Sequence, residues 1–167
     1  RYTAAFTTAP SCSPARAAMA TGVYQISIDA HHQRMHREDG YMLPEPIRVF
    51  SRHLQQSGYY AALGCGFSGK TDYNFQTKTR PFDGNDWRHR EDGQPFFAQI
   101  TLTVTHRHGN WQKNRDARPD PVDLDEVELP PYYPDDPVCR LDWATYLDQI
   151  EIMDEQFGRI LDRLDKE

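Results

Sequence analysis

The 167 residues are 38% hydrophobic and 26% charged, a balance that supports one respectable buried core and excludes a disordered chain. A formal charge of −6 excludes nucleic acid as an expected partner, because phosphate backbones select basic surfaces. No stretch is apolar and long enough to span a bilayer as a helix, so no membrane partner is expected either.

In chain order, residues 1–9 are rich in Thr, Ala and aromatics and read as an extended approach to Cys12. Residues 14–20 form the first predicted helix. Pro14 suits its first turn, where a missing N–H costs nothing, and Gly22 closes it as a left-handed cap. Cys12 then lies at the helix mouth with Arg16 four residues on, and residues at that spacing share a face. The first-turn amides project into the same volume, which suits a tetrahedral anion. The plainer reading of the pair is a small buried thiol beside a surface arginine.

His31, His32, Arg34 and His36 follow as a dense polar cluster. The spacing of His32 and His36 suggests a metal pair, but no acidic or thiol partner is spaced with them. Arg37-Glu38-Asp39-Gly40 reads as a solvated turn. Pro44 and Pro46 introduce a helix over about 47–57, with Val49, Phe50 and Leu54 inward and Gly58 as its stop. Residues 59–63 are a short buried strand running into a glycine-rich loop that ends at Lys70. Open α/β sheets place ligands at such a loop.

Residues 96–105 read as a strand buried on both faces, with His106 at its end. Residues 107–137 form a polar, proline-rich surface connection that includes Asp135 and Asp136. Apolar residues then recur every three or four positions from Val138 to Leu164, predicting one long amphipathic packing helix. Strands alternating with helices favour an α/β fold. Cys12, Cys65 and Cys139 make neither a disulfide framework nor a zinc spacing, and the state of Cys65 and Cys139 is left open.

The stretch Cys12-Ser13-Pro14-Ala15-Arg16, with Thr21-Gly22 after it, resembles the C-x-P-x-R signature of the sulfatase family at every defined position. Further segments follow in the family's order: Gly69-Lys70-Thr71-Asp72-Tyr73-Asn74, Thr105-His106-Arg107, the run Leu129 to Pro137, and a helix containing Asp154 and Gly158. Tyr24-Gln25, His31-His32 and the Lys-Thr-Asp-Tyr-Asn form are similar to the heparan N-sulfatase (sulfamidase) group and its bacterial relatives.

This resemblance implies an alkaline-phosphatase-like sandwich around a mostly parallel sheet, with residues 1–167 as the central portion of the catalytic domain. It implies that a formylglycine-generating or maturation enzyme oxidises Cys12 to Cα-formylglycine, whose hydrate attacks sulfur. Arg16 would hold that nucleophile, Lys70 would bind sulfate, and His106 would contact sulfate and protonate the leaving group, with His108 as a substitute. Asp72 stands where many sulfatases have histidine. It can act as the acid only if burial raises its pKa, so the general acid stays open between His106 and Asp72. His31 and His32 are candidate substrate contacts.

The resemblance further implies a divalent cation, normally calcium, bound through formylglycine-12 and through acidic segments expected to lie outside this chain. The expected substrate is a sulfated carbohydrate, as in glycosaminoglycan degradation. The expected location is secreted, periplasmic or, in a eukaryote, lysosomal. Two other readings are carried: a phospho- or phosphonohydrolase of the same superfold, and an inactive anion-binding fragment.

Overall fold

The structure, a computed structural model, describes residues 4–167. The first three residues of the expected extended approach lie outside them. Helices and a small parallel sheet alternate along an α/β chain, which divides into two compact units, Arg1–Thr101 and Leu102–Glu167.

In the first unit, helix α1 spans Cys12–Thr21 and ends as expected. Gly22 adopts φ 69° and its N–H bonds the Ala18 carbonyl, a left-handed cap that glycine enters without steric cost. The inner face of α1 is built from small residues. Ala17 and Ala20 are buried against Ile28, Ala30, Leu43, Val49 and Phe75, so the loops that carry polar groups approach the helix closely.

Helix α2 covers Phe50–Gln56, beginning later than residue 47. Leu43 and Gln76 are bonded through their backbones, Leu43 N–H to Gln76 O at 2.9 Å, and Met42 bridges Gln76. That pairing keeps the chain extended into the Pro44 and Pro46 turn, where residues preceding proline disfavour helix. Val49 is buried as expected, whereas Phe50 is exposed and rests edge-on against Phe97.

Strands β1 (Tyr60–Leu63) and β2 (Phe96–Gln99) pair in parallel, Tyr60 opposite Phe96 and Leu63 opposite Gln99. The other edge of β1 is covered by residues 83–85, with Leu63 N–H bonding Gly84 O and the Asp83 carboxylate accepting from Ala61 N–H. β2 is shorter than the expected 96–105 and only half-buried. Its partner runs out: after Gly64 N–H bonds Gln99 O, the chain turns at Gly64, φ 93°. Thr101 pairs instead with Ser68 in the opposite sense.

In the second unit, α3 (Trp111–Asp116) interrupts the connection expected to be irregular. Helix α4 (Pro137–Leu164) begins with Pro137 in its first turn and the Asp136 carboxylate accepting Val138 N–H. This is the N-cap chemistry such residues supply. Asp135 and Asp136 are exposed, as expected.

The burial of α4 differs from the apolar pattern. Ala144 and Ile160 are buried, but so are Thr145, Asp148 and Gln149, whereas Val138, Phe157 and Leu161 are exposed. α4 meets α3 and its flanking loop through polar groups. Asp148 pairs with Arg115 and Arg118 and accepts Val122 N–H, and Gln149 accepts from Asn114 at 2.7 Å.

Candidate functional site

The mouth of α1 is capped from a distant loop. Ser11 makes no side-chain cap of its own. Gln33 Oε1 instead accepts Ser13 N–H at 3.2 Å and the Ser11 hydroxyl at 2.6 Å. The same carboxamide donates through Nε2 to Cys12 Sγ at 2.9 Å. A helix-mouth amide expected to face an anion is therefore already satisfied by Gln33.

Cys12 is half-buried, and its thiol donates to Asp72 Oδ2 at 3.4 Å. Arg16 lies on the same helix face, as the spacing predicts, but its partner is backbone: Nη1 donates to the Lys70 carbonyl at 2.9 Å. Thr101 Oγ1 and Gln99 Nε2 donate to the same carbonyl. Arg16 is thus the post that fixes the loop after β1, and through it the place of Lys70. Asn74, fully buried, ties that loop to the 30–37 segment by donating to Ala30 O at 3.1 Å and to His32 O.

Asp72, at φ 50°, is the hub. Its side chain is 4% exposed and meets Arg34 Nε at 3.3 Å, Arg37, and Lys70 Nζ at 3.6 Å. Burial pushes its carboxyl up, but the hydrogen bonds from Arg37 and Cys12 and the charge of Arg34 outweigh it and hold the group well below the usual carboxylate range. The condition for Asp72 to act as a general acid is not met. It is an ionised anchor.

Arg37 is not the simple solvated residue its turn suggested, and Gln33 and Arg34 complete the cluster. Sequence alone gave them no motif, because they reach Cys12 and Asp72 only through loop packing. Three cations, Arg34, Arg37 and Lys70, surround one carboxylate, and Arg16 is bonded to the Lys70 carbonyl, so the local charge opposes the overall −6. A cationic focus of this kind concentrates small anions.

The other expected residues make contacts of their own. His31 and His32 stack with ring centroids 4.3 Å apart, His31 near Asp29 at 3.7 Å. Neither makes a bond to Cys12, Lys70 or Asp72 among the described residues. His36 is taken up by the Asp39 carboxylate and the Asp29 carbonyl, and it stacks on Tyr41. The Asp39 hydrogen bond, opposed by burial, raises its pKa. His106 belongs to the second unit, where its N–H closes a turn on Thr103 O and its ring stacks on His108. It does not end a strand.

The donors at Cys12 do not by themselves fit calcium. Among the described residues no three His, Cys, Asp or Glu side chains are grouped to hold a metal. Calcium takes six to eight oxygen ligands. Asp72, the carboxylate bonded to Cys12, is already committed to three cations.

An ulvan-active sulfatase of Formosa agariphila aligns over 209 positions at 30% identity, covering 98% of this chain and 34% of that protein. The N-sulphoglucosamine sulphohydrolase of Homo sapiens aligns over 203 positions at 25% identity, covering 96% of this chain and 39% of that protein. The chain is a relative of the sulfatases. Sulfamidase-like proteins stand among its kin, as the histidine pair and the Lys-Thr-Asp-Tyr-Asn segment led us to expect. This sulfatase relative spans a little over a third of the length of the curated proteins it matches. No family model and no solved structure matches it. Among its described residues no helix is long and apolar enough to cross a membrane.

Proposed function

We propose that the chain contributes the nucleophile helix and the anion-binding loop of a sulfohydrolase acting on sulfate esters or sulfamates of carbohydrates. The observation that carries this reading is the convergence of Cys12, Arg16 and Lys70 on one small volume. Cys12 is held by Gln33 and Asp72, and Arg16 is bonded to the backbone of Lys70 itself. Residues 1–167 would form the central portion of an alkaline-phosphatase-like catalytic domain, in a protein that is secreted, periplasmic or lysosomal. The small parallel sheet and the sulfatase relatives support that placement.

In this reading a maturation enzyme oxidises Cys12 to formylglycine. One hydroxyl of the aldehyde hydrate attacks sulfur, and the sugar alcohol or amine leaves with a proton. The second hydroxyl then gives up its proton, the bond from carbon to the sulfate oxygen breaks, and sulfate departs as the aldehyde reforms. Covalent catalysis divides one hard hydrolysis into two easier steps. Lys70 neutralises charge on the sulfate, while Arg16 and Asp72 are positioning residues for the loop and the nucleophile. His106 is the candidate proton donor that the family resemblance implies. Calcium, expected from the family, would need oxygen donors other than those beside Cys12, and no step is assigned to it. A second reading is an anion-binding unit without turnover, built on the same cationic cluster.

The test is expression of the full-length protein with a formylglycine-generating enzyme. The mass of the Cys12 peptide should show the aldehyde, sulfated sugars should release sulfate, and Cys12→Ala should abolish release. His106→Ala should slow substrates with poor leaving groups far more than aryl sulfates. Binding of sulfate without turnover would select the anion-binding reading. Faster cleavage of phosphodiesters or phosphonates than of any sulfate would select the phosphohydrolase reading.

A further inference from the structure

Gln33 is an exposed residue, yet its carboxamide makes three bonds at the mouth of α1. The orientation of that carboxamide is fixed by its partners. A backbone N–H can only donate, so the end bonded to Ser13 N–H is the oxygen, and the end at Cys12 Sγ is the NH₂ group.

Capping alone does not call for Gln33. Ser11 stands at the N-cap with φ −137° and ψ 144°, a conformation in which a serine hydroxyl accepts an amide of the first turn. It donates to Gln33 instead. The bond that a local serine cap does not supply is the third, from Gln33 Nε2 to Cys12 Sγ at 2.9 Å. Gln33 delivers it from a segment pinned on both sides. Asn74 donates to Ala30 O and His32 O before it, and Arg34 and Arg37 pair with Asp72 after it. Cys12 Sγ thus has a fixed donor in Gln33 and a fixed acceptor in Asp72 Oδ2, 3.4 Å away.

We infer that Gln33 is a positioning residue of the reaction proposed above, one that holds the side chain of residue 12 so that its proton is turned to the Asp72 carboxylate. The inference rests on the sulfohydrolase reading and deepens it. A side chain carrying two hydroxyls at this position meets one donor and one acceptor, so its two oxygens are unlike. The hydroxyl whose proton is shared with a carboxylate is the stronger nucleophile, and the one that accepts from an amide is the weaker. Gln33 therefore helps to decide which of them attacks.

Gln33→Glu and Gln33→Met separate the cap from the donor. Glutamate keeps an acceptor for Ser13 N–H, as in a capping box, but presents a second acceptor to residue 12. Methionine removes both functions at similar length and adds no charge. Two readouts are taken on the full-length protein. In its unmodified form, the infrared S–H stretch of Cys12, isolated as the difference from Cys12→Ala, reports the bonds at sulfur. In its matured form, kcat and KM are measured for an aryl sulfate, with turnover counted per aldehyde from the mass of the Cys12 peptide. We expect the S–H band to shift in both variants, and kcat to fall roughly a hundredfold in both while KM stays within about twofold. Thermal unfolding should leave Gln33→Glu with the midpoint of the parent.

A parent-like band or a parent-like kcat in Gln33→Glu would reduce Gln33 to a cap and overturn the inference. A loss confined to Gln33→Met overturns it too, as does a raised KM with kcat unchanged, which would make Gln33 a substrate contact. A band shifted in both variants, with no sulfate released by the wild-type protein, would sink the sulfohydrolase reading and leave standing the hold of Gln33 on residue 12.

Discussion

At the scale of single residues, Asp72 decides how the site is held. A buried carboxylate facing several cations is costly to leave unpaired and stable when paired. Its folded-state pKa lies below the ordinary 3.8. Its contribution to stability is therefore fully present above that value and is lost as pH falls through the lower folded value. Asp72→Asn removes the linkage and leaves Arg34, Arg37 and Lys70 facing one another without a countercharge. We expect the variant to be less stable than the parent at pH 7, by about 1–3 kcal/mol for a lost charged hydrogen bond. The gap should shrink by pH 3, as read from urea midpoints at the two pH values. A gap of equal size at both would mean that Asp72 contributes no charge to the fold. The sequence marked Asp72 as the departure from the histidine of many sulfatases. Its protonation state was legible only once Arg34 and Arg37 had been placed beside it.

At the scale of elements, α1 and α4 hold their partners by different means. α1 has an alanine face and a glycine stop, and a Cβ at Gly22 would meet nothing within 4 Å, so the cost of a substitution there is conformational alone. Gly22→Ala should destabilise by about 1 kcal/mol, and Gly22→Asn by less because asparagine tolerates the left-handed region; thermal unfolding of both variants measures the difference. α4 is held by a buried ion network. Removing one partner from such a network typically costs about 3–5 kcal/mol, because a charge is left behind. Asp148→Ala should accordingly raise hydrogen exchange across α3 and residues 118–127, where Arg115, Arg118 and the Val122 amide lose their shared acceptor. Unchanged exchange there would show that the helices pack without it. The helical period in the sequence located α4 but misjudged its inner face. Periodicity records which residues are apolar, whereas burial depends on what packs against them, and α3 offers arginine and asparagine.

At the scale of the whole molecule, an acidic chain carries a basic site. The overall charge of −6 would repel the sulfated substrate proposed above, so in that proposal attraction arises within about a Debye length of the Cys12 cluster. Raising ionic strength from 0.05 to 0.5 M should weaken sulfate binding to the full-length protein several-fold, and an affinity that salt leaves unchanged would argue against a charge-driven site. The sequence by itself determined a helix over residues 14–20, which the structure starts two residues earlier at Cys12, its stop at Gly22, the shared face of Cys12 and Arg16, the loop that delivers Lys70 and the extent of α4. Each of these depends on neighbours a few residues away, where helix period, proline and glycine act directly. Tertiary structure alone decided the ends of β2, the partners of Arg16, the ionised state of Asp72 and the recruitment of Gln33, Arg34 and Arg37. Those features arise where segments 20 to 85 residues apart meet. At that range a side chain's partner, and with it its charge, is set by how loops pack against the small-residue face of α1.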